Sequence, residues 1–533
     1  MSRKKAIIIT TILTLIIGII AFYLLLPALN IKSEGFWLFI MGIVGLSSFI
    51  LVVLYSIVGY DFKKVTAGSS TILILLVSVL LIGQASSAVI FRAKSYAKLM
   101  HSHITEHDFE DYNATIENVP LMDKDSAMKI ANRKLGELED VISQYEIDDT
   151  EQITVRGEPI RVACLNHAGF IKWLSNRHSG TPGFIKVDMN TQEAELVRVD
   201  GGIKYTKSDF FGRDLTRYLR MNYPTKIFWE TTLELDEKEH PYWVTATLDK
   251  TIGLFGGTEV SGAVLIDAVT GEHALYSLED IPEWVDNVYG SSLLLDQFDK
   301  YGMYQNGFLN SIIGQKGVRR TTEGYNYIPQ GNDNWIYTGI TSVGKDESNI
   351  GFILVNKRTK ETHYYGVSGA EEFSAMNSAE GAVQHLGYRS TFPLLLKIGG
   401  QPTYLVSLKD SGGLVKMYAM VNVAKYQIVA TGSNISETLS QYSKLLKDSG
   451  INVSGLGSKS ISGIIEDIKM ATVEGNSNYF IKLKGDASYY LLDIRDNKRA
   501  GILSLGDHII LNLEVIDNGS DIVPAQLQDG DGF

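Results

Sequence analysis

A histidine cluster is the first group of residues in this 533-residue chain with the types and spacing for chemistry. His101, His103 and His107 are three of the ten histidines and lie within seven residues. On a helix His103 and His107 would share one face, and two imidazoles at that spacing can bind one metal ion. A solvated helix without metal is the alternative, because no HExxH pattern accompanies the cluster.

A second group lies between Tyr301 and Trp335, where aromatic rings alternate with amide and guanidinium side chains. Rings stack while amides and guanidinium groups form hydrogen bonds, so this composition is typical of a site for a sugar or a peptide. The alternative is local packing of the tyrosines in a connection between a helix and a sheet. The candidate binding residues are Tyr301, Tyr304, Asn306, Asn310, Arg319, Arg320, Tyr325 and Tyr327.

Sequence motifs for catalysis are missing. Cys164 is the only cysteine, which excludes a disulfide framework, and its apolar surroundings predict a core position. No P-loop and no GxSxG nucleophile motif occurs. Glu371, Glu372 and Glu380 are compatible with acid–base chemistry, although the start of a helix also favours carboxylates. No catalytic residue and no cofactor is predicted.

Three apolar runs in the first 91 residues predict transmembrane helices. They are Ala6–Leu26, Phe36–Val58 and Thr71–Phe91, each with at least 20 residues and no charge. Such a length crosses about 30 Å of hydrocarbon at roughly 1.5 Å per residue. Arg92–Asp108 is expected to extend the third helix. Because the spans contain no ionisable residue, a transport function is not favoured.

Charge is divided unevenly along the chain. Residues 1–91 hold six Lys or Arg and two acids, a net charge of +4. Because the whole chain has a net charge of −12, residues 92–533 have a net charge of −16. Basic residues occupy the N-terminal tail and Lys63–Lys64, with only Lys32 between the first two spans. The positive-inside rule therefore places residues 92–533 outside the cytoplasm. Their acidity repels phosphate backbones, which argues against a nucleic-acid partner.

The remainder of the chain is organised around a recurring β-hairpin. In Gly351–Gly366, GFILVNKRTKETHYYG, an arm of alternating faces leads through a polar turn into a returning arm. Asp or Asn ends the first arm in five such segments, at separations of 79, 89, 66 and 71 residues. These side chains favour turns because they accept hydrogen bonds from the following backbone. They are Asp188, Asp267, Asn356, Asn422 and Asp493.

Helices and strands are predicted before these hairpins from apolar periodicity and capping patterns. The helices are expected at Asp123–Tyr145, Ser208–Tyr223, from Ser277, from Asn377, at Ser436–Lys447 and at Ser460–Met470. The strands are expected at Gly169–Leu174, Tyr242–Leu248, Trp335–Thr341, Thr403–Leu408 and Tyr479–Leu483. A helix with about three antiparallel strands, repeated five times, predicts an α+β fold built as a tandem array.

The repeated unit resembles a PepSY domain. The resemblance is carried by DKDSAMKIANRKLGEL leading to GFIKVDMNTQEAEL, and by VLIDAVTGE. It implies an extracytoplasmic, non-catalytic module that restrains peptidases or binds envelope partners. The whole layout also resembles three-span membrane proteins of Gram-positive bacteria. The predicted domains are a transmembrane domain at 1–91, a juxtamembrane helix and linker at 92–120, repeat units at 121–206, 207–278, 279–368, 369–432 and 433–512, and an acidic, disordered tail at 513–533.

These observations predict a multi-pass protein of the bacterial cell membrane with an extracytoplasmic C-terminal part. Its expected role is to bind or regulate an envelope protein, a peptide or a wall polymer without catalysis. The alternative is an envelope hydrolase that acts on cell-wall glycan or peptide. The missing catalytic motifs and the repeats favour the binding role.

Overall fold

The chain forms two compact units in a computed structural model. The structure describes residues 2–114, 116, 119–342, 348–451, 458–473, 476–486, 488–495, 497–514 and 522–527. Unit 1 comprises Met1–Glu372 and Gly412–Val415, and unit 2 comprises Phe373–Ser411 and Lys416–Phe533.

Three long apolar helices begin unit 1, as predicted. They are α1 (Arg3–Leu25), α2 (Glu34–Val58) and α3 (Lys63–Ser87). By length and composition each can cross a membrane. Gly59 ends α2 in the left-handed conformation, at φ 76°, which glycine adopts without steric cost.

A separate helix, and not a continuation of α3, follows the third span. Ala88 has an extended backbone between α3 and α4 (Val89–His101), at φ −63° and ψ 135°. The chain then enters strand β1 (Ile104–His107). The prediction that His103 and His107 share a helix face is therefore wrong. The β-branched pair Ile104 and Thr105 suits a strand, and this strand pairs in parallel with Thr362–Tyr365.

Sheet 1 is antiparallel and carries helix α5 (Lys124–Gly136) on one face. Its strands are β2 (Tyr145–Ile147), β3 (Glu151–Val155), β4 (Glu158–His167), β5 (Thr181–Asp188) and β6 (Ala194–Ile203). The spatial order is β2-β4-β5-β6, with β3 also paired to β4. Apolar side chains of α5, such as Ile130 and Leu135, pack against Leu165 and Ile185 of the sheet.

Helix α6 (Phe170–Asn176) occupies the segment where a strand was predicted at Gly169–Leu174. Gly169 has φ 98°, which turns the chain out of β4 and into the helix. The strand before this hairpin is therefore β4 itself, which ends at His167.

Sheet 2 has four antiparallel strands in the order β10-β9-β8-β7. They are β7 (Ile227–Leu235), β8 (Pro241–Ile252), β9 (Gly256–Asp267) and β10 (His273–Tyr276). Helix α7 (Leu215–Asn222) packs Leu215 and Leu219 into a core shared by sheets 1 and 2. Cys164 is buried in this core, as predicted, and burial raises the pKa of its thiol.

Sheet 3 contains seven strands, and helix α8 (Ser291–Tyr304) packs against sheets 2 and 3 through Leu294 and Phe298. The strands after β1 are β11 (Arg319–Thr321), β12 (Asn326–Gln330), β13 (Asp333–Ser342), β14 (Ser348–Asn356), β15 (Thr362–Tyr365) and β16 (Gly369–Ala370). The helix predicted from Ser277 begins only at Ser291, because Ser277 Oγ donates to Asp280 Oδ2 at 2.6 Å and closes a turn.

Unit 2 consists of a five-stranded sheet with two helices and a closed five-stranded barrel. The helices are α9 (Glu372–Ala382) and α10 (Ile435–Asp448). The sheet holds β17 (Arg389–Ser390), β18 (Leu394–Ile398), β19 (Gln401–Lys409), β20 (Val415–Asn422) and β21 (Val429–Gly432). The barrel holds β22 (Ser458–Val473), β23 (Asn476–Leu483), β24 (Tyr489–Asp493), β25 (His508–Glu514) and β26 (Ile522–Leu527).

The barrel corrects two predictions. The segment Ser460–Met470 lies within strand β22 and is not a helix, so the fifth unit is not a helix packed on an open sheet. Its isoleucines fit a helical stripe as well as a strand, and β-branched residues favour the strand. The 513–533 segment is not wholly a disordered tail, because β26 pairs with β24 and β25. The four aspartates behind the prediction of an acidic tail, Asp517, Asp521, Asp529 and Asp531, lie outside the described residues.

Four of the five predicted hairpins are present, and the Asx residues shape their turns. The fifth is not formed, because the chain after β24 enters a short 3-10 helix at Lys498–Ile502 and β24 pairs with β23 and β26 instead. For Asp188, Asp267 and Asn356, one side-chain oxygen accepts the backbone N–H groups two and three residues later, at 2.8–3.0 Å. Asn422 and Asp493 each accept one such N–H at 2.8 Å. The shared Asp or Asn is therefore a structural residue of the turn.

Candidate functional site

Two buried carboxylates, Glu234 and Asp286, join the three sheets of unit 1 and are called the acid junction below. Their side chains are 0% and 1% exposed. Asp286, between β10 and α8, accepts the backbone N–H of Thr154 on β3 and that of Asn334 on β13. Glu234, on β7, accepts the backbone N–H of Asp286 at 2.7 Å. Sheets 1, 2 and 3 are thus connected through two side chains.

Burial dominates the electrostatics of the acid junction. It raises the pKa of Asp286 well above its ordinary value, and the nearby Glu234 carboxylate raises it further. Burial also raises the pKa of Glu234, against the hydrogen bonds that this side chain accepts. Lys357 is close to both acids, and desolvation lowers the pKa of its ammonium group. The pair therefore holds a proton more tightly than two separate carboxyl groups would.

A pocket of about 770 Å³, the junction pocket, opens beside the acid junction. Lys357, whose residue surface is 5% exposed, lines it and donates from Nζ to Asn287 Oδ1, which also lies in the wall. Asn287 in turn donates its backbone N–H to Glu234 at 3.0 Å. The volume lies within the range of roughly 300–1,000 Å³ found for ligand pockets.

Aromatic rings form a second part of this wall. Tyr325 is 41% exposed, and its ring centroid lies 5.6 Å from that of Tyr327. The hydroxyl groups of Tyr327 and of Ser291, at the start of α8, form a hydrogen bond of 2.9 Å. Lys357 Nζ lies 4.7 Å from the Tyr327 ring centroid. The neighbouring Tyr327 and burial raise the pKa of Tyr325 to about 12. Trp229 of β7 completes the aromatic lining.

Carboxylates also reach the pocket. Asp149 accepts a hydrogen bond from Lys124, and both line the wall. Burial raises the pKa of Glu151, although the charges of Lys357, Lys124 and Lys207 oppose the rise. The pocket can therefore supply rings for stacking and both donors and acceptors for hydrogen bonds.

The structure divides the predicted Tyr301–Trp335 site into separate places. Only Tyr325 and Tyr327 of the eight candidates line the junction pocket. Tyr301 is buried in the core around α8, and Arg319 lies 5.5 Å from its ring centroid. Tyr304 stacks on Phe308 at 6.3 Å between ring centroids.

The remaining three candidates lie elsewhere in unit 1. Asn306 and Asn310 both donate to the carbonyl oxygen of Lys316, at 3.1 and 3.0 Å, so they close the loop after α8. Arg320 is exposed on β11. These contacts account for the two amides as structural residues of a connection.

The histidines form a different arrangement from the predicted one. The ring centroid of His107 lies 4.6 Å from that of His363 and 5.5 Å from that of Tyr365. His363 Nε2 is 2.9 Å from Glu361 Oε1. Within the described parts of the chain, no three His, Cys, Asp or Glu side chains are grouped to hold a metal ion. The prediction that His103 and His107 bind one metal ion rested on a shared helix face. That face is not formed, because His107 lies on strand β1.

The acidic residues singled out for acid–base chemistry have structural partners. Glu372, fully buried at the start of α9, accepts hydrogen bonds from Tyr337 Oη at 2.9 Å and Asn349 Nδ2 at 3.1 Å. Glu380 accepts from Arg389 and from the backbone N–H of Ser390, both at 2.9 Å. These bonds lower the pKa of Glu380 against the effect of its burial.

Sequence reasoning missed Glu234, Asp286, Lys357 and Trp229. They lie on different sheets or in connections, and contacts between residues 48 and 52 positions apart connect the acid junction. One local signal existed: Glu234 stands between Leu233 and Leu235, and all three are buried. A carboxylate in such a strand needs partners, which marks it as part of a polar network.

Comparison with known proteins identifies no family. No protein-family model and no curated protein matches the chain. Similar solved structures include an exo-1,5-α-L-arabinanase from a bovine ruminal metagenomic library, at 9% identity over 73% of this chain and 100% of that chain, with a TM-score of 0.16. A levansucrase variant from B. megaterium has 9% identity over 79% of this chain and 97% of its own, with a TM-score of 0.16. Such scores do not indicate a shared fold.

Proposed function

We propose that this protein is a membrane-anchored module of the bacterial cell envelope that binds a wall polymer, a peptide or an envelope protein outside the cytoplasm. The observation that carries the proposal is the junction pocket, which combines an exposed aromatic ring with buried, fixed donors and acceptors. It belongs to the same compact unit as the three candidate membrane spans.

The contacts between the spans and the sheets support the proposed orientation. Lys32, in the loop between α1 and α2, pairs with Asp249 of β8 at 2.8 Å. In the same region, the backbone N–H of Leu29 donates to the carbonyl oxygen of Pro224 at 2.7 Å. The sheets therefore contact the α1–α2 loop, where the single basic residue has an acidic partner. The other basic residues of the first 91 lie in the N-terminal tail and at the start of α3, and the positive-inside rule places these in the cytoplasm.

A second candidate function is hydrolysis of wall glycan. Glycosidases commonly use one protonated and one ionised carboxyl group on either side of the bond that they cleave. Glu151, with its raised pKa, and Asp149, with its Lys124 partner, line the same pocket. This is the specific observation in favour of an enzyme.

Capture of the partner from intact cells tests the proposal. We expect Tyr325→Ala in the full-length chain to reduce the amount of crosslinked partner by about tenfold or more, because removing an aromatic anchor typically costs ~2 kcal/mol. The thermal midpoint should change little, because 41% of the Tyr325 surface is exposed and the ring is not part of a hydrophobic core. Crosslinking in intact cells, followed by purification and mass spectrometry, measures the captured material.

Tyr304→Ala is the matched control, because Tyr304 does not line the junction pocket. Equal capture by the wild type and the Tyr325→Ala variant would place any binding elsewhere. If wild-type cells instead yield cleaved wall fragments that disappear with Glu151→Gln, the hydrolase is the better description.

A further inference from the structure

We infer that the ligand of the junction pocket is an uncharged saccharide. This inference rests on the proposed function and names the class of ligand. It follows from three features of the wall: cations that already have partners within the protein, an exposed ring face, and a buried hydrogen-bond donor without a partner.

The cations of the pocket already have partners within unit 1. Lys124 contacts Asp149, and Lys207 Nζ lies 3.0 Å from Asp148 Oδ2. Arg220 donates to the carbonyl oxygens of Leu26 at 3.0 Å and of Lys226 at 2.6 Å.

The most buried cation of the wall, Lys357, lies within the electrostatic influence of three acidic groups. It donates to Asn287, and the charges of Glu151, Glu234 and Asp286 all favour its protonated form. An acidic ligand would have to compete with these carboxylates for the ammonium group. A cationic ligand would meet the ammonium group itself. A ligand without net charge avoids both costs.

Trp229 supplies the unpartnered donor. Its Nε1 atom is buried, and within the described residues it has no hydrogen-bond acceptor. A buried N–H without an acceptor costs free energy. The ring and Gly290, against which the Nε1 atom packs, both line the pocket, so a ligand oxygen that reaches this N–H would recover that cost. The hydroxyl groups of Ser291 and Ser292 line the same pocket and can both donate and accept.

Tyr325 supplies the stacking surface. It is the exposed aromatic ring of the pocket, next to the more deeply placed Tyr327. Sugar rings pack their C–H faces on such rings while their hydroxyl groups bond to neutral donors and acceptors. The cavity of about 770 Å³ has room for more than one sugar ring.

Calorimetric titration of the full-length chain in lipid nanodiscs tests the inference. Nanodiscs are needed because a sugar-headed detergent would compete for the pocket. The neutral probes are N,N′-diacetylchitobiose, cellobiose and maltose, the acidic probe is digalacturonate, and the peptide probe is Ala-Ala. We expect at least one neutral disaccharide to bind at least tenfold more tightly than the acidic and peptide probes. Its affinity should change little with salt, because no net charge is screened.

Two variants locate the site. Trp229→Phe keeps an aromatic ring but removes the N–H. It should lower the affinity for the neutral disaccharide roughly 3- to 10-fold, which is the effect of one net hydrogen bond. Trp284→Phe is the matched control, because Trp284 lines a different cleft. Tighter binding of digalacturonate or Ala-Ala, no binding of any neutral probe, or an equal response of the two tryptophan variants would overturn the inference. If cellular capture still depends on Tyr325 in that case, the proposed binding function stands and only the ligand class is wrong.

Discussion

Asp286→Ala is expected to destabilise unit 1 by about 3 kcal/mol. The substitution leaves the backbone N–H groups of Thr154 and Asn334 without their acceptor in the interior, and each buried unsatisfied donor costs roughly 1–3 kcal/mol. Relief of the repulsion from Glu234 offsets part of this loss. A thermal unfolding scan of the full-length chain should show a midpoint lower by several degrees.

Two further variants separate hydrogen bonding from charge. Asp286→Asn keeps one acceptor oxygen and removes the charge that Glu234 opposes, so it should cost less than alanine. Asp280→Ala, at an exposed position in the same connection, should leave the midpoint nearly unchanged. An unchanged midpoint for Asp286→Ala would show that the acid junction does not hold the sheets together.

The acid junction also has a pH dependence of defined sign. Because the folded pKa of Asp286 is raised, its contribution to stability is fully present below the ordinary Asp pKa of about 3.9. That contribution is lost as the pH rises from there through the raised pKa. The free energy of unfolding of the wild-type chain should therefore fall across this pH window relative to that of Asp286→Asn. If the two variants show the same pH dependence, the raised pKa of Asp286 is contradicted.

Lys360→Met is expected to lower the free energy of unfolding of the region around α4 by about 3 kcal/mol. The Lys360 side chain is 1% exposed and donates from Nζ to both oxygens of Glu259, at 2.8 and 3.0 Å, and to the carbonyl oxygen of Leu99 at 2.8 Å. Removing one partner of a buried ion pair typically costs roughly 3–5 kcal/mol, and the partial exposure of Glu259 favours the low end.

Hydrogen–deuterium exchange over residues 89–103 measures this effect locally. Exchange should become faster, because Lys360 and the backbone bond from Thr362 N–H to the carbonyl oxygen of His103, at 2.8 Å, connect this segment to the hairpin turn. Lys134→Met is the matched control. Its ion pair with Glu137 at 3.5 Å lies at the surface of α5, and such pairs contribute at most about 1 kcal/mol. Equal exchange in both variants would contradict this role of Lys360.

Local patterns predicted the three long apolar helices and four of the five hairpins correctly. An apolar run without charge has few alternatives to a membrane helix, and an Asx residue at the end of an alternating arm defines its turn from neighbouring backbone. Both signals lie within about 25 residues, so no distant contact is needed to interpret them. The buried position of Cys164 also followed from its immediate neighbours.

The structural features that the sequence did not predict depend on contacts between residues far apart in the chain. The isoleucines of Ser460–Met470 fit both periods, and pairing with β23 and β25 selects the strand. His107 is placed on a strand by its pairing with β15, more than 250 residues later. The junction pocket was predicted only at Tyr325 and Tyr327, because its charged residues belong to elements from all three sheets of unit 1.

Labelling of a single introduced cysteine tests the central claim most directly. Cys164 is 1% exposed, so the native chain should give almost no background with a membrane-impermeant maleimide. We predict that Tyr325→Cys is labelled in intact cells, because the proposed orientation places the junction pocket outside. Asp61→Cys, in the exposed loop between α2 and α3, should be labelled only after the cells are opened. Labelling of Asp61→Cys in intact cells, with Tyr325→Cys protected until lysis, would contradict both the orientation and the envelope function.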